Sequence, residues 1–242
     1  MEDHLNKFLG HTWRGINTHI LSYTRETPKQ VCLMFHGINS TGSINTSLNQ
    51  GTAIISEVLS RKSNGVTITF DDAYENIESA LELWSGFDIP LKIFVPTDLI
   101  GKKMANMRIA DIPQLKYWKS IKNVTLASHS HSHTNLTRLT QQSRLNELTA
   151  SKHKIEELTN VSCQEIAYPR GKYNLQVLED VKKAGFLTGW TTKRGAFDLG
   201  QADLLTLPRF AIYDYTTPRE MTGRISRAAI KIERLILRGN YR

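Results

Sequence analysis

The stretch Val66-Thr-Ile-Thr-Phe70-Asp71-Asp72 decides the fold prediction, because an apolar strand runs directly into two carboxylates. Val66 to Phe70 has the short, β-branched composition of a buried strand. The carboxyl end of such a strand is where the βα loops of a parallel α/β protein gather functional side chains. Two adjacent aspartates repel, so both stay ionised only beside a cation, a donor or water. The plainer interpretation is an N-cap for the helical pattern over 73–86, because Asp is a favoured N-cap.

Strands and helices alternate along the rest of the chain. Hydrophobic patterning predicts further strands over 31–35, 90–95, 124–127, 165–168, 186–191 and 204–212, and helices over 53–61, 73–86, 114–121, 140–159 and 175–184. Residues 37–50 are rich in Gly, Ser, Thr and Asn and are predicted to form a loop. No repeat or low-complexity tract divides the chain, so we expect a parallel α/β fold in one catalytic domain over 1–242.

Composition narrows the class of protein and its partners. The 242 residues are 40% hydrophobic and 22% charged, which is ordinary for a soluble globular protein. The N-terminus, Met1 to Arg14, has no apolar segment typical of a signal peptide, so we expect a cytoplasmic protein with reduced, buried Cys32 and Cys163. The net charge of +8 suggests an anionic partner, such as a phosphate-bearing substrate or an acidic lipid.

Part of that charge lies in a predicted basic helix over 217–238. Thr217 and Pro218 give an N-cap and a proline at the first helical position, and Glu220 is a capping-box acid. One interpretation is a helix packed on the domain with a solvated basic face. The other is peripheral contact with an anionic membrane. Nucleic acid is disfavoured, because no binding motif accompanies the charge.

Three histidines follow the strand predicted over 124–127, in Ser128-His-Ser-His-Ser-His133. The plainer interpretation is a solvated polar loop. A strict strand would place all three on one face, whereas a helical turn would bring His129 and His133 together and turn His131 away. A pair of imidazoles with Asp72 as the third ligand would leave an open position on a divalent ion such as zinc. The ion would lower the pKa of a bound water to about 7, and Asp71 would take the proton.

Three motifs in this order resemble the polysaccharide deacetylases, carbohydrate esterase family 4 with the NodB-homology fold. They are Phe70-Asp71-Asp72, His129-Ser-His-Ser-His133-Thr-Asn-Leu136 and Tyr168-Pro-Arg-Gly171, and the resemblance covers about 30–212. It implies an α/β fold, a distorted (β/α) barrel, and metal-dependent hydrolysis of N-acetyl groups on amino sugars. It also implies Asp71 as general base and Asp72, His129 and His133 as metal ligands.

The third motif departs from the family pattern. The family arginine is replaced by Ala167, and the family aromatic, whose backbone N–H donates to the oxyanion, is replaced by Arg170. Arg170 keeps that N–H, and its side chain either adds positive charge or lies in solvent. We propose Arg209 as the residue that holds Asp71, the alternative being a surface arginine or one paired elsewhere.

The family's C-terminal histidine motif is absent, since no histidine follows His153. Leu33-Met-Phe-His36 resembles family branches with a histidine after the first strand, which implies that His36 protonates the departing amine. The alternative is a histidine that makes one backbone hydrogen bond. His131 is expected behind the ligands or in solvent, with a ligand role left open.

Aromatic side chains give weaker indications of sugar contact. Trp190 lies where the family often has a tryptophan in the acetyl pocket, although tryptophans are more often core residues. Tyr168, Tyr74 and Tyr173 are candidates by position only.

The predicted function is therefore a zinc-dependent N-deacetylase of an amino sugar in a cytoplasmic surface-polysaccharide precursor, such as an O-antigen or capsule intermediate. One alternative is an inactive carbohydrate-binding barrel, because two family motifs are atypical. The other is hydrolysis of a different sugar amide, such as N-formyl.

Overall fold

A computed structural model describes residues 30–39, 45–61 and 65–226 of the chain. The predicted continuation of the basic helix over 227–238 lies outside the described residues, and the single-domain prediction for 1–242 stays a prediction. Within the described ranges, no helix is both long enough and apolar enough to cross a membrane.

One parallel sheet of seven strands dominates the fold. In chain order the strands are β1 (Val31–Phe35), β2 (Val66–Phe70), β3 (Leu91–Val95), β6 (Val124–Ser128), β7 (Glu165–Ala167), β8 (Thr188–Trp190) and β9 (Phe210–Ala211). Their order in the sheet is β8-β7-β6-β3-β2-β1-β9. A separate antiparallel hairpin, β4 (Lys103–Met104) with β5 (Met107–Arg108), was not predicted from the sequence.

The segment that ends in β9 joins the two edges of this sheet. Leu207 bridges Trp190 of β8, and three residues later Phe210 pairs with Leu33 of β1. One short stretch of chain therefore touches both edges, and the sheet closes into a distorted barrel. The predicted strand over 204–212 is wrong in extent, because this stretch crosses from one edge to the other and pairs regularly only at Phe210–Ala211.

The strands bury both faces, as expected for a parallel sheet covered by helices. In β2, Val66, Ile68 and Phe70 belong to the main core between sheet and helices. The opposite face lines the barrel interior, where a smaller apolar cluster is formed by Cys32, Phe94, Ala127, Ala167, Trp190 and Leu207. Because side chains alternate along a strand, Asp71 continues the interior face that carries Thr69.

The helices follow the predicted order with shifted boundaries. They are α1 (Leu48–Arg61), α2 (Glu78–Trp84), α3 (Ile112–Ser120), α4 (Gln141–Thr159), α5 (Leu175–Lys183) and α6 (Pro218–Arg224). The loop prediction for 37–50 is wrong at its end, because α1 begins at Leu48. The helix predicted over 73–86 is interrupted, since α2 lies between 3₁₀ turns at Glu75–Ile77 and Ser85–Phe87.

The start of the basic helix forms as predicted at Thr217 and Pro218, but the helix ends at Arg224, so the prediction of one unbroken helix over 217–238 is wrong. The Thr217 side chain accepts from the Glu220 backbone N–H, and Pro218 opens α6. Met221 and Ile225 are buried, and the Glu220 carboxylate accepts from Arg224 at 2.6 Å. In the described residues this helix therefore packs its apolar side into the core.

A buried ion pair joins α4 to α5. Arg144 donates from Nε and Nη2 to Asp180 Oδ2 at 2.8 and 2.7 Å, and from Nη1 to the carbonyls of Leu136 and Leu139. Lys183 also reaches Asp180, at 3.2 Å, but its side chain is half exposed.

We expect Arg144→Met to lower the free energy of unfolding by about 3–5 kcal/mol, because it leaves the Asp180 charge buried with its main partner removed. Lys183→Met is the matched control on the same carboxylate and should cost under about 1 kcal/mol, because water replaces the ammonium. Urea denaturation of both variants measures the difference. Equal, small losses of unfolding free energy in the two variants would contradict the conclusion that Arg144 is the main partner of Asp180.

Candidate active site

Six of the nine predicted site residues meet at the carboxyl edge of the sheet, where a cleft of about 270 Å³ opens. Asp71 and Asp72 follow β2, and His129 follows β6. The cleft is lined by these three side chains together with His36, His133 and Arg170, and also by Tyr74, Met104, Ala105 and Thr192. Met104 and Ala105 come from the β4–β5 hairpin, whose short strands have no hydrophobic period from which they could be predicted.

Asp72, His129 and His133 form a candidate metal centre. One ligand atom from each lies within 4.8 Å of the others, and this is the only such His/Cys/Asp/Glu group among the residues that the structure describes. The Nε2 atoms of His129 and His133 lie 3.5 and 3.3 Å from Asp72 Oδ1. That oxygen is buried and has no hydrogen-bond partner, although a buried carboxylate oxygen normally has one. A divalent cation fits this donor set, because two imidazoles and one carboxylate suit zinc.

A loop with two left-handed residues, not a helical turn, brings His129 and His133 together, so the helical-turn interpretation is wrong. Ser130 and His133 have φ of 62° and 59°, in the left-handed region that non-glycine residues seldom adopt. Glu147 of α4 holds this loop, since its carboxylate accepts from the backbone N–H groups of His131 and Ser132 and from the Ser132 hydroxyl. The Ser130 hydroxyl accepts from the His133 N–H at 3.1 Å.

Hydrogen bonding and burial keep both imidazoles suited to a cation. His129 Nδ1 lies 2.8 Å from the Ala167 carbonyl, which can only accept, so Nδ1 carries a proton and Nε2 is the nitrogen left to face a cation. Burial and the neighbouring His129 lower the pKa of His133 to about 4, so its ring is neutral near pH 7. His131 turns away from the centre and contacts the Thr97 hydroxyl at 2.9 Å through Nδ1.

Asp71 and Arg209 form a buried bidentate ion pair beside the candidate centre. Arg209 Nη1 and Nη2 donate to the two Asp71 oxygens at 2.6 and 2.8 Å. Arg209 is fully buried, and Asp71 is 3% exposed. Burial alone would raise the pKa of Asp71, but the Arg209 guanidinium outweighs it and lowers that pKa to about 2. Asp71 is therefore ionised at neutral pH.

Further contacts fix the Arg209 guanidinium. Nε donates to the Thr191 carbonyl at 2.9 Å, and Nη1 also donates to the Thr69 hydroxyl at 3.1 Å. The Phe94 ring lies 5.5 Å from the guanidinium carbon. The alternative of a surface arginine is excluded by this burial.

His36 and Arg170 both reach the cleft. The Nδ1 atom of His36 is buried and has no hydrogen-bond partner among the described residues, so the alternative of one backbone hydrogen bond at this nitrogen is not seen. Arg170 has φ of 59° in the short turn after β7, and its side chain is exposed on the cleft wall.

Tyr168 and Trp190 are placed differently from the prediction that they contact substrate. Neither lines the cleft. Tyr168 is fully buried and donates its hydroxyl to the Leu205 carbonyl at 2.8 Å. Trp190 lies in the barrel interior and donates Nε1 to Glu165 at 2.8 Å. Both are structural residues here, because Trp190 points into the barrel interior, while Tyr168, just after β7, points to the opposite face, into the core between sheet and helices.

Tyr74 was only a positional candidate and proves to line the cleft. Burial and the neighbouring Asp72 carboxylate raise the pKa of its hydroxyl. Tyr173 instead stacks on Tyr168, with ring centroids 5.4 Å apart.

Comparison with known proteins places these features in a family. The family model described as polysaccharide deacetylase matches residues 59–189. The curated protein YxkH of Bacillus subtilis (strain 168) is 30% identical over 132 residues, which are 54% of this chain and 46% of that protein. This chain's match therefore spans about half the length of that relative.

Solved structures confirm the predicted fold. The Streptococcus pyogenes deacetylase PplD, solved in complex with acetate, superimposes with a TM-score of 0.70 at 21% identity, covering 83% of this chain and 99% of that one. BC0361, a polysaccharide deacetylase from Bacillus cereus, gives 0.70 at 21% identity, covering 83% and 70%. IcaB from Ammonifex degensii gives 0.70 at 15% identity, covering 83% and 99%. The seven-stranded curled sheet is thus the distorted (β/α) barrel of the NodB-homology type.

The structural role of Tyr168 gives a stability prediction. Tyr168→Phe should lower the free energy of unfolding by about 1 kcal/mol, because the Leu205 carbonyl loses its donor inside the core. Tyr173→Phe, on the stacked neighbour, is the control and should change it by less than about 0.5 kcal/mol. Chemical denaturation compares the two, and an equal effect would argue against this hydrogen bond.

Proposed function

Because the chain belongs to the polysaccharide deacetylase family, we propose that it is a metal-dependent hydrolase that removes the N-acetyl group from an amino sugar. One observation carries the proposal. Three potential metal ligands converge on a point beside an aspartate that an arginine holds ionised. A carbohydrate-binding barrel would have no need to hold a buried carboxylate in this way.

Asp72, His129 and His133 would hold the cation, and zinc is the ion that this donor set favours. A cation there supplies Lewis-acid chemistry, because it lowers the pKa of water and polarises an amide carbonyl. The Ala167 carbonyl and Glu147 keep the two imidazoles directed at Asp72.

The remaining steps belong to the protein's own side chains. Asp71 accepts the proton of the attacking water, and Arg209 keeps its carboxylate ionised and oriented. His36 donates a proton to the departing amine, a role that its position on the cleft wall supports. The backbone N–H of Arg170 is the proposed donor to the oxyanion.

Location and physiological substrate remain predictions from the sequence. A cytoplasmic surface-polysaccharide precursor is the proposed substrate source. Peripheral contact with anionic membrane is proposed for the basic helix, whose residues beyond 226 lie outside the described ranges.

Removal of the metal should abolish the reaction. We expect the purified protein to release acetate from N-acetylated amino sugars, to lose this activity with a chelator, and to regain it with Zn²⁺. Asp72→Asn should weaken zinc affinity at least about tenfold, because the carboxylate charge is lost, whereas Asp98→Asn, an exposed aspartate just after β3, should not. Formate in place of acetate would favour the N-formyl alternative. Zinc binding without turnover would favour the inactive barrel.

Arg209→Met should lower kcat by about a hundredfold with metal content retained, because Asp71 loses its orientation. Elemental analysis and steady-state kinetics measure both quantities. Arg224→Met is the matched control, since it removes a buried, ion-paired arginine of α6 that does not line the cleft, and Arg209→Lys keeps a charge if Arg209→Met folds poorly. Unchanged kcat would dismiss the positioning role of Arg209.

A further inference from the structure

Three loops that border the cleft share an unusual charge pattern. They are 102–108, which carries the hairpin, 168–174 and 191–196, and each contributes at least one residue to the cleft wall. Together they contain seven basic residues and no acidic one: Lys102, Lys103, Arg108, Arg170, Lys172, Lys193 and Arg194. We call these three loops the basic rim.

Acidic neighbours outside the rim neutralise only part of this charge. Lys102 pairs with Asp98 at 3.1 Å, and Arg108 lies 3.7 Å from Glu75 and 3.8 Å from Asp111. Lys103 and Arg170 have no ion pair within the described residues. Both are exposed, so their charges face solvent at the cleft mouth.

The carboxylates inside the cleft do not offset Arg170. Asp71 is neutralised by Arg209 in the bidentate pair. Asp72 is the carboxylate of the candidate metal centre, where a divalent cation would more than balance its charge. With the cation bound, the cleft and its rim therefore present a net positive field to an approaching ligand.

The position of Arg170 brings its charge to the reaction centre. It belongs to the wall of the same cleft as the candidate metal ligand His133. Pro169 and Gly171 flank it, and the left-handed φ of 59° at a non-glycine residue is a strained conformation that the turn maintains. A planar guanidinium with free donors is suited to a phosphate or carboxylate, which it can bind through two parallel hydrogen bonds.

We infer that the substrate is an anionic amino sugar, which carries a phosphate or carboxylate close to the acetamido group, and that Arg170 binds this oxyanion. The inference rests on the proposed deacetylase function and adds the charge class of the substrate. Arg170 is then a specificity-determining residue, and the rest of the basic rim attracts the anion from solution.

The test compares acetate release from three substrates that differ in charge. They are the neutral methyl glycoside of N-acetylglucosamine, N-acetylglucosamine 1-phosphate, and a disaccharide of N-acetylglucosamine with a hexuronate. We expect kcat/KM to be at least about tenfold higher for one or both anionic substrates, which is the scale of one hydrogen bond to a charged group. The preferred anion identifies phosphate or carboxylate as the recognised group. The preference should shrink as the salt concentration rises from about 0.05 to 0.5 M.

Arg170→Gln should reduce the anionic-to-neutral ratio of kcat/KM about tenfold. Arg170→Asn is a second variant, since Asn tolerates the left-handed conformation. Arg61→Gln is the matched control. Arg61 is the last residue of α1 and shortly precedes the amino end of β2, whereas the cleft lies at the carboxyl ends of the strands. Its loss should therefore leave the ratio unchanged.

The outcomes separate the two proposals. Equal kcat/KM for all three substrates, or a ratio that neither Arg170 variant changes, overturns the inference and leaves the deacetylase function standing. No acetate from any of the three, with zinc bound, overturns the proposed function itself.

Discussion

The buried pair of Asp71 and Arg209 is the constraint on which the rest of the site depends. Two charges taken out of water are stable only when each satisfies the other, and the bidentate geometry at 2.6 and 2.8 Å does so. The pair also links distant parts of the chain. Asp71 extends β2, while Arg209 lies in the segment that joins the two edges of the sheet between Leu207 and Phe210. The segment that closes the barrel therefore also carries the side chain that orients the proposed base.

The interior face of the sheet also positions one ligand of the candidate metal centre, His129. Alternation along β6 directs His129 inward, where the Ala167 carbonyl at the end of the neighbouring strand fixes its ring. His133 cannot be placed by a strand or a helix, and it arrives through a loop with two left-handed residues. Such a loop is costly by itself, so it needs an external support, and Glu147 of α4 provides it with three hydrogen bonds. Helix α4 is thus part of the site although it contributes no residue to the cleft wall.

Much of this was predictable from the sequence, for reasons that differ by residue. Short apolar runs such as Val66–Phe70 indicate strands, because a strand of a parallel sheet is buried on both faces and is therefore apolar along most of its length. Arg209 was predictable because a missing family arginine left Asp71 without a partner. The crossing between the two sheet edges was not predictable, since periodicity reports which face is buried and not which strand lies beside it. For Tyr168 and Trp190, motif position indicated substrate contact. The side chain of Tyr168 instead turns into the core between sheet and helices and that of Trp190 into the barrel interior, and only the course of the backbone shows this.

Arg170 and Arg209 show that residue type alone does not determine the role of an arginine. Arg209 is fully buried and donates to a carboxylate, a hydroxyl and a carbonyl, and the Asp71 carboxylate neutralises its charge within the protein. Arg170 stands in solvent at the mouth of the same cleft, in a backbone conformation that only its turn explains. The position that the family gives to an aromatic side chain here carries a charge, while the backbone N–H is preserved. The substitution therefore leaves the proposed oxyanion donor unchanged and alters what the cleft attracts, which is how one barrel can keep its chemistry and change its substrate.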